Sequence, residues 1–190
     1  GLPTAFGGIL ALAAVNPTAP RSSITNPRTL LSTFRDCKIA YLAIHSPHST
    51  LHTPPSALLT LDHRRESKEK LIWASYLSRF LGAQLTVAMP SYKDDGLRNL
   101  QANNLRYLEK IAPSLGLAYT TAPIPAPLIT NPDIVAARSL HPDLILTLAT
   151  DPRDRDIGDW ILGNPELRLL RSSIPTLLLN QRDDLYVLCD

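Results

Sequence analysis

Residues 56–89 read SALLTLDHRRESKEKLIWASYLSRFLGAQLTVAM, and they decide the fold. Ala57-Leu58-Leu59-Thr60-Leu61 is a short apolar run stopped by Asp62, the pattern of a strand buried on both faces of a parallel sheet. From Ser67 to Leu81 the residues Leu71, Ala74, Leu77 and Leu81 recur at spacings of three and four, which sets them on one face of a helix. Gly82 ends that helix as the residue after its last turn. Leu85-Thr86-Val87-Ala88-Met89 is the next apolar strand, closed by Pro90. Strand, helix and strand in so short a span make a right-handed βαβ crossover.

The same alternation continues downstream. Leu97, Leu100, Leu105, Leu108 and Ile111 keep helical spacing over residues 97–111, and Pro113 and Gly116 are expected to end that helix. Leu117 to Ala122 reads as a third strand, followed by a proline-rich connection over residues 123–127. Asn131-Pro132-Asp133 is a helix start: Asn caps, Pro fits the first helical position, and Asp favours the positive end of the dipole. That helix ends near Leu140, and Leu144 to Leu148 forms a fourth strand. A polar loop, Asp151 to Asp156, leads into a helix expected over 157–171. A fifth strand covers Thr176 to Leu179, and Leu185 to Cys189 reads as a last one. The expectation is an α/β fold, a doubly wound and mostly parallel five-stranded sheet with extra N- and C-terminal strands. No internal repeat is seen.

Upstream the pattern is different. Residues 16–28 and 45–56 are rich in Pro, Ser and Thr and read as loops. Between them, residues 38–44 read as a strand, and residues 4–15 as a short apolar helix weakened by Gly7 and Gly8. This divides the chain into a 1–55 extension with one strand and a 56–190 α/β domain.

Composition sets the outer bounds. The 190 residues are 44% hydrophobic and 19% charged, enough for one domain with its own core. No run of about eighteen apolar residues occurs, so no complete membrane-spanning helix lies within the sequence. The net charge of +2 and the absence of a basic block exclude nucleic acid as the expected partner. Cys37 and Cys189 form neither a disulfide framework nor a metal motif, which suits a reducing, cytoplasmic compartment. A chain opening at Gly1 is expected to be a processed form or part of something longer. With 17 prolines and only 8 glycines, it has few positions where backbone approaches a phosphate closely.

Several segments together resemble the universal stress protein family. Residues 57–62 with Glu66-Ser67 look like its first strand and helix start. Residues 76–87 resemble the first helix end, the Gly-Ala turn and the second strand. Pro142-Asp143 with residues 144–146 look like the fourth strand, and Leu162-Gly163 with residues 168–179 like the last helix and fifth strand. The resemblance covers about residues 56–180 in the right order. It implies the strand order 3-2-1-4-5 and a homodimer formed through the C-terminal strands.

It also implies where a nucleotide would sit. ATP-binding members carry a G-x2-G-x9-G-S/T loop after the fourth strand, whose backbone N–H groups close around phosphates. In this sequence only the third glycine is present, as Gly163. Thr150 and Arg153 hold the first two glycine positions, and Asn164 replaces the hydroxyl residue. Asp151, Asp154 and Asp156 add negative charge where a triphosphate would lie. Asp62 matches the acidic residue that ends the first strand near base and ribose, and Val87 ends the matching part of the second strand. If ATP or AMP binds, the residues expected to hold it are Asp62, Val87, Thr150, Arg153, Gly163 and Asn164. No cofactor or metal is expected otherwise.

The remaining candidates read more plainly. His45, His48 and His52 fall in a proline-bearing loop without fixed spacing, so solvated histidines are expected rather than zinc ligands. Asp62-His63 is an acid/base pair in sequence, but no nucleophile adjoins it. Residues 151–156 carry carboxylates suited to Mg²⁺, and equally a loop with internal Arg–Asp pairs. Trp73 and Trp160 are expected to pack. No catalytic residues emerge, and the chain is read as no enzyme. The first function expected is a non-enzymatic regulatory and dimerisation module. Because domains of this family also occur as cytosolic tails of membrane transporters, a transporter domain in the same parent chain is an expected partner. The alternative is an ATP/AMP-binding stress-response protein with a non-standard phosphate loop.

Overall fold

The computed structural model of the protein describes residues 10–35, 37, 39–45, 52–127, 131–149, 161 and 163–180. In chain order these form strand β1 (Leu10–Ala14), helix α1 (Pro27–Arg35), strand β2 (Ala40–Ile44) and strand β3 (Ser56–Thr60). A 3-10 turn, Arg65–Glu69, runs into α2 (Lys70–Leu81), followed by β4 (Gln84–Ser91), α3 (Asp95–Leu115) and β5 (Tyr119–Pro125). Then come α4 (Pro132–Leu140), β6 (Leu144–Leu148), α5 (Pro165–Leu170) and β7 (Thr176–Leu179).

All seven strands join one sheet in the order β1-β2-β7-β6-β3-β4-β5. Every neighbouring pair is parallel except β2 and β7, which run antiparallel. The run β5-β4-β3-β6-β7 is the 3-2-1-4-5 order expected, so the fold is a doubly wound α/β sheet with extra strands at its N-terminal end. β3 and β6 carry no charged residue and are buried on both faces because helices cover both. Alternation sends Leu59 and Leu146 to the face under α2 and α3, where they meet Leu71, Ala74, Leu77 and Leu108. It sends Leu58 and Ile145 to the other face, against Ile134, Ala137 and Leu169 of α4 and α5. A third cluster joins Leu30, Leu31 and Phe34 of α1 to Tyr41, Leu170 and Leu178.

The helix ends follow from local chemistry. Gly82 takes φ 63°, the left-handed conformation that lets the chain leave α2, and its N–H bonds the Leu77 carbonyl. Asn131 caps α4 by accepting from the Asp133 N–H at 2.8 Å, with Pro132 in the first turn.

The structure corrects the sequence reading at six places. Residues 10–14, expected in an apolar helix over 4–15, are a strand, because β2 offers a parallel edge along the whole of Leu10–Ala14. Residues 4–9 lie outside the described set. Helix α1 begins inside the Pro/Ser-rich stretch that reads as a loop: Asn26-Pro27 starts it as Asn131-Pro132 starts α4, the Asn26 side chain accepting from the Arg28 N–H at 2.9 Å. β4 continues through Pro90, since the Pro90 nitrogen faces the side of β3 beyond the point where β3 ends. β5 absorbs Pro123 and Pro125, because it is an edge strand and these two turn their donorless nitrogens to the open side. α3 runs past Pro113 to Leu115, the ring sitting in the last turn where the Glu109 carbonyl it leaves unbonded belongs to an exposed residue. The helix expected over 157–171 is described only as α5, which begins afresh at Pro165 after Gly163.

Two consequences concern assembly. β1 and β2 belong to the same sheet as the domain that follows them. β7 has β6 on one side and β2 on the other, so it presents no free edge for the dimer expected through it. The strand expected at Leu185–Cys189 lies outside the described residues.

Candidate functional site

β3 leads through α2 to β4 on one side of the sheet, while β6 leads through α5 to β7 on the other. The strand order therefore reverses between β3 and β6, and the crevice at their carboxyl ends is where doubly wound sheets take ligands. Five polar or charged side chains converge there from four elements. Thr60 ends β3, Asp62 follows it, Lys70 opens α2, Asp133 sits in the first turn of α4, and Thr147 lies in β6.

Lys70 is 0% exposed and Asp133 1%. The Lys70 ammonium donates to Thr60 Oγ1 at 2.9 Å and to Asp133 Oδ1 at 3.2 Å. Thr60 donates its hydroxyl to Asp133 Oδ1, and Thr147 donates to Asp133 Oδ2 at 2.5 Å. One carboxylate thus ties the two central strands to α2 and α4. Burying such a pair is tolerable because the ammonium and both carboxylate oxygens are hydrogen-bonded.

Asp62 is equally buried, 1% exposed. It accepts from Arg64 Nε at 2.7 Å on Oδ2, and from the Arg64 N–H at 3.0 Å and the Ser67 hydroxyl on Oδ1. Burial by itself would raise the Asp62 pKa; the charges of Arg64 and Lys70, with the Ser67 bond, outweigh it and hold the carboxyl below its ordinary range. Burial pulls the Arg64 guanidinium the other way, and the Asp62 and Asp133 charges overcome that and raise it. The loop carrying this pair is clamped from α3. Asn104 Nδ2 donates to the Asp62 and Arg64 carbonyls at 2.8 and 2.9 Å, and Gln101 Nε2 to those of Leu61 and Pro90 at 3.0 and 3.1 Å.

His63 does not pair with Asp62. Its Nδ1 lies 3.0 Å from the Tyr92 hydroxyl, with the rings edge to face. Burial first, and the Asp62 charge second, push the Tyr92 phenol up to about 12 against the opposing pull of Arg64.

Of the residues expected to hold a nucleotide, Asp62 stands at the crevice with both oxygens engaged. Val87 is fully buried in β4, paired in register with Leu59 and Thr121, and its side chain belongs to the core. Gly163 adopts φ 81°, a conformation that favours glycine, and Asn164 caps α5 by accepting from the Leu167 N–H at 3.0 Å. Thr150, Arg153 and the Asp151–Asp156 loop lie outside the described residues. The histidines separate: His45 Nε2 lies 2.7 Å from the Leu170 carbonyl and His52 Nδ1 lies 2.6 Å from Asp143, while His48 lies outside the described residues. Trp73 packs on the main core, edge to face with Tyr76; Trp160 and Cys189 are not described.

Sequence reasoning missed Thr60, Ser67, Lys70, Asp133 and Thr147 as a group. Signals existed. Thr60 and Thr147 are polar residues within otherwise apolar strands, and Lys70 shares a helix face with Ala74 and Leu77.

No protein-family model matches the chain, and neither does any curated protein. Solved structures do. A universal stress protein from Archaeoglobus fulgidus DSM 4304 matches 93% of this chain at 13% identity and a TM-score of 0.62, and this chain spans 62% of that one. A functionally unknown protein from Pseudomonas aeruginosa PAO1 matches 96% at 15% identity and a TM-score of 0.59, of which this chain spans 66%. A universal stress protein in complex with cAMP matches 67% of this chain at 17% identity and a TM-score of 0.50, over 98% of its own length. With the strand order, the switch point and these superpositions together, the chain carries the universal stress protein fold.

Proposed function

We propose that the chain is a non-enzymatic regulatory module built on this fold. The observation that carries the reading is the closed polar network at the switch point. Lys70 answers Asp133, Arg64 answers Asp62, and the hydroxyls of Thr60, Thr147 and Ser67 are turned onto those same carboxylates. Catalysis or phosphate binding needs donors and charges aimed outward at a ligand. Among the described residues of this crevice, the Lys70 ammonium, Arg64 Nε and the Asp62 and Asp133 carboxylates are aimed at one another. The finer reading is a cytosolic domain carried by a membrane transporter, supported by the family resemblance alone; a parent gene without membrane-spanning segments overturns it.

A second reading, nucleotide binding, is favoured by the cAMP complex of a protein with this fold and by the left-handed Gly163. Under it a ribose would displace Arg64 from Asp62. Calorimetric titration with ATP, AMP and cAMP, with and without Mg²⁺, separates the two. The regulatory reading predicts no heat at millimolar ligand. Micromolar binding that is lost in Asp62→Ala establishes the second reading instead.

A further inference from the structure

Residues 10–45 repeat the end of the domain, a correction to the sequence reading, in which no internal repeat is seen. The order strand, Asn-Pro-capped helix, strand occurs twice: β1, α1, β2 and β6, α5, β7. The sequences share features at places that match to within one residue. Leu10 to Pro17 reads LALAAVNP, and Leu144 to Pro152 reads LILTLATDP. Asn26-Pro27 and Asn164-Pro165 each precede a leucine pair, Leu30-Leu31 and Leu169-Leu170. Each copy pairs its two strands in parallel, and each closes with the same bond: Val15 N–H to the Ile44 carbonyl at 2.8 Å, and Ala149 N–H to the Leu179 carbonyl at 2.8 Å.

The two copies are also related to each other. β2 and β7 run antiparallel about Leu42 and Leu177, with Tyr41 opposite Leu178 and Ala43 opposite Thr176. That pairing is self-symmetric. The residue after each strand reaches across to the other copy's helix end: His45 meets the Leu170 carbonyl, and Asn180 Nδ2 donates to the carbonyls of Phe34, at 3.2 Å, and Cys37.

The symmetry fails at one place. β6 has β3 on its outer side, in parallel register from Ala57 opposite Leu144 to Leu59 opposite Leu146. Among the described residues nothing pairs with the outer side of β1. Leu10 and Leu12 take the places of Leu144 and Leu146, yet they are 43% and 73% exposed against 3% and 0%. Leu144 and Leu146 lie under α2. On the opposite face, Ala11 and Ala13 are already packed in the α1 cluster. No Lys, Glu or Pro guards this edge, the devices by which free strands avoid unwanted pairing.

We propose that residues 10–45 are the second half of an incomplete copy of the fold, and that the open edge of β1 seats its first half. The occupant is a polypeptide unit of the β3-to-α4 kind. It brings an uncharged strand parallel to Leu10–Ala14 and a helix that covers Leu10 and Leu12. The lengths of the solved structures fit this occupant. Two of them take in 93% and 96% of this chain, yet this chain spans only 62% and 66% of theirs, which leaves room for such a unit.

The test uses the whole chain and one fusion. The fusion places a second copy of residues 52–143 directly ahead of Leu10, so that its end joins β1 as residue 143 joins β6. Amide hydrogen exchange is read along β1 in both, each with and without Leu12→Asp. In the chain alone, the β1 amides not bonded to β2 exchange freely, and Leu12→Asp leaves the melting temperature unchanged. In the fusion those amides slow by about 100-fold or more, and Leu12→Asp restores fast exchange. The proposal is overturned if the fusion leaves β1 exchange as it was. It is also overturned if the chain alone already protects both edges of β1, or sediments as a dimer whose dissociation exposes β1, because a second copy then holds the edge.

Discussion

Removing the Lys70 ammonium isolates a carboxylate in the core. Asp133 would remain 1% exposed with only the hydroxyls of Thr60 and Thr147 for partners. At 3.2 Å the lost attraction is about 5 kcal/mol for an effective dielectric near 20. Measured losses on breaking one side of a buried pair run to about 3–5 kcal/mol, so Lys70→Met is expected to cost that much. For a chain of this size that lowers the melting temperature by roughly 10 °C. Asp133→Asn in the same background removes the stranded charge. The amide that this substitution introduces would still accept from Thr147 and donate to Thr60, so Lys70→Met/Asp133→Asn is expected to recover at least half the loss. Urea unfolding of wild type, both single variants and the double variant gives the coupling between the two sites. A Lys70→Met protein within about 0.5 kcal/mol of wild type, or a double variant whose loss equals the sum of the singles, refutes the claim that this pair binds the sheet to its helices.

Three further outcomes are expected. Asp62 has a folded pKa below its ordinary 3.8, so its stabilising contribution is complete above that value and is lost as pH falls through the folded pKa; the stability gap between wild type and Asp62→Asn therefore closes in acid, and a gap that stays constant from neutrality to pH ~2 contradicts it. The Tyr92 phenol moves from 10.0 up to about 12, so it costs stability as pH climbs between those values; burial likewise pushes the Tyr41 phenol up to about 12, so Tyr92→Phe should reduce the amplitude of the late ultraviolet phenolate step that the two share, and an unchanged amplitude there contradicts it. Gly163→Ala puts a side chain at φ 81° with nothing within 4 Å of its Cβ, so the cost is backbone strain of about 1–2 kcal/mol by thermal unfolding, and no loss would mean the turn relaxes freely.

Strands β3, β4, β6 and β7 were legible because each is an apolar run beside a periodic helix. Such runs need no distant information: burial on both faces leaves one composition only, as in Ala57 to Thr60 and Leu144 to Leu148. β1 was not legible, because Leu10-Ala11-Leu12-Ala13-Ala14 has good helix formers and becomes a strand only by pairing with β2, some thirty residues on. α1 was hidden by the prolines around it, although its Asn26-Pro27 start was the same signal that placed α4. Pro90, Pro123 and Pro125 read as stops because the sequence does not say which strand edges are open. At the site, Asp62 was found through a resemblance. Lys70 carries no such signal, because a lysine near a helix start reads as solvated and only the fold brings Asp133 from the other side of the sheet to meet it.

The central claim is that the charged groups at the switch point are spent on one another and take no nucleotide. Backbone amide shifts of Asp62, Arg64, Ser67, Lys70 and Gly163, followed by NMR as ATP, AMP or cAMP is added to millimolar concentration, test it most directly. The account predicts that these resonances stay where they are with and without Mg²⁺. Saturable shifts confined to these residues, absent in Asp62→Ala, would contradict it.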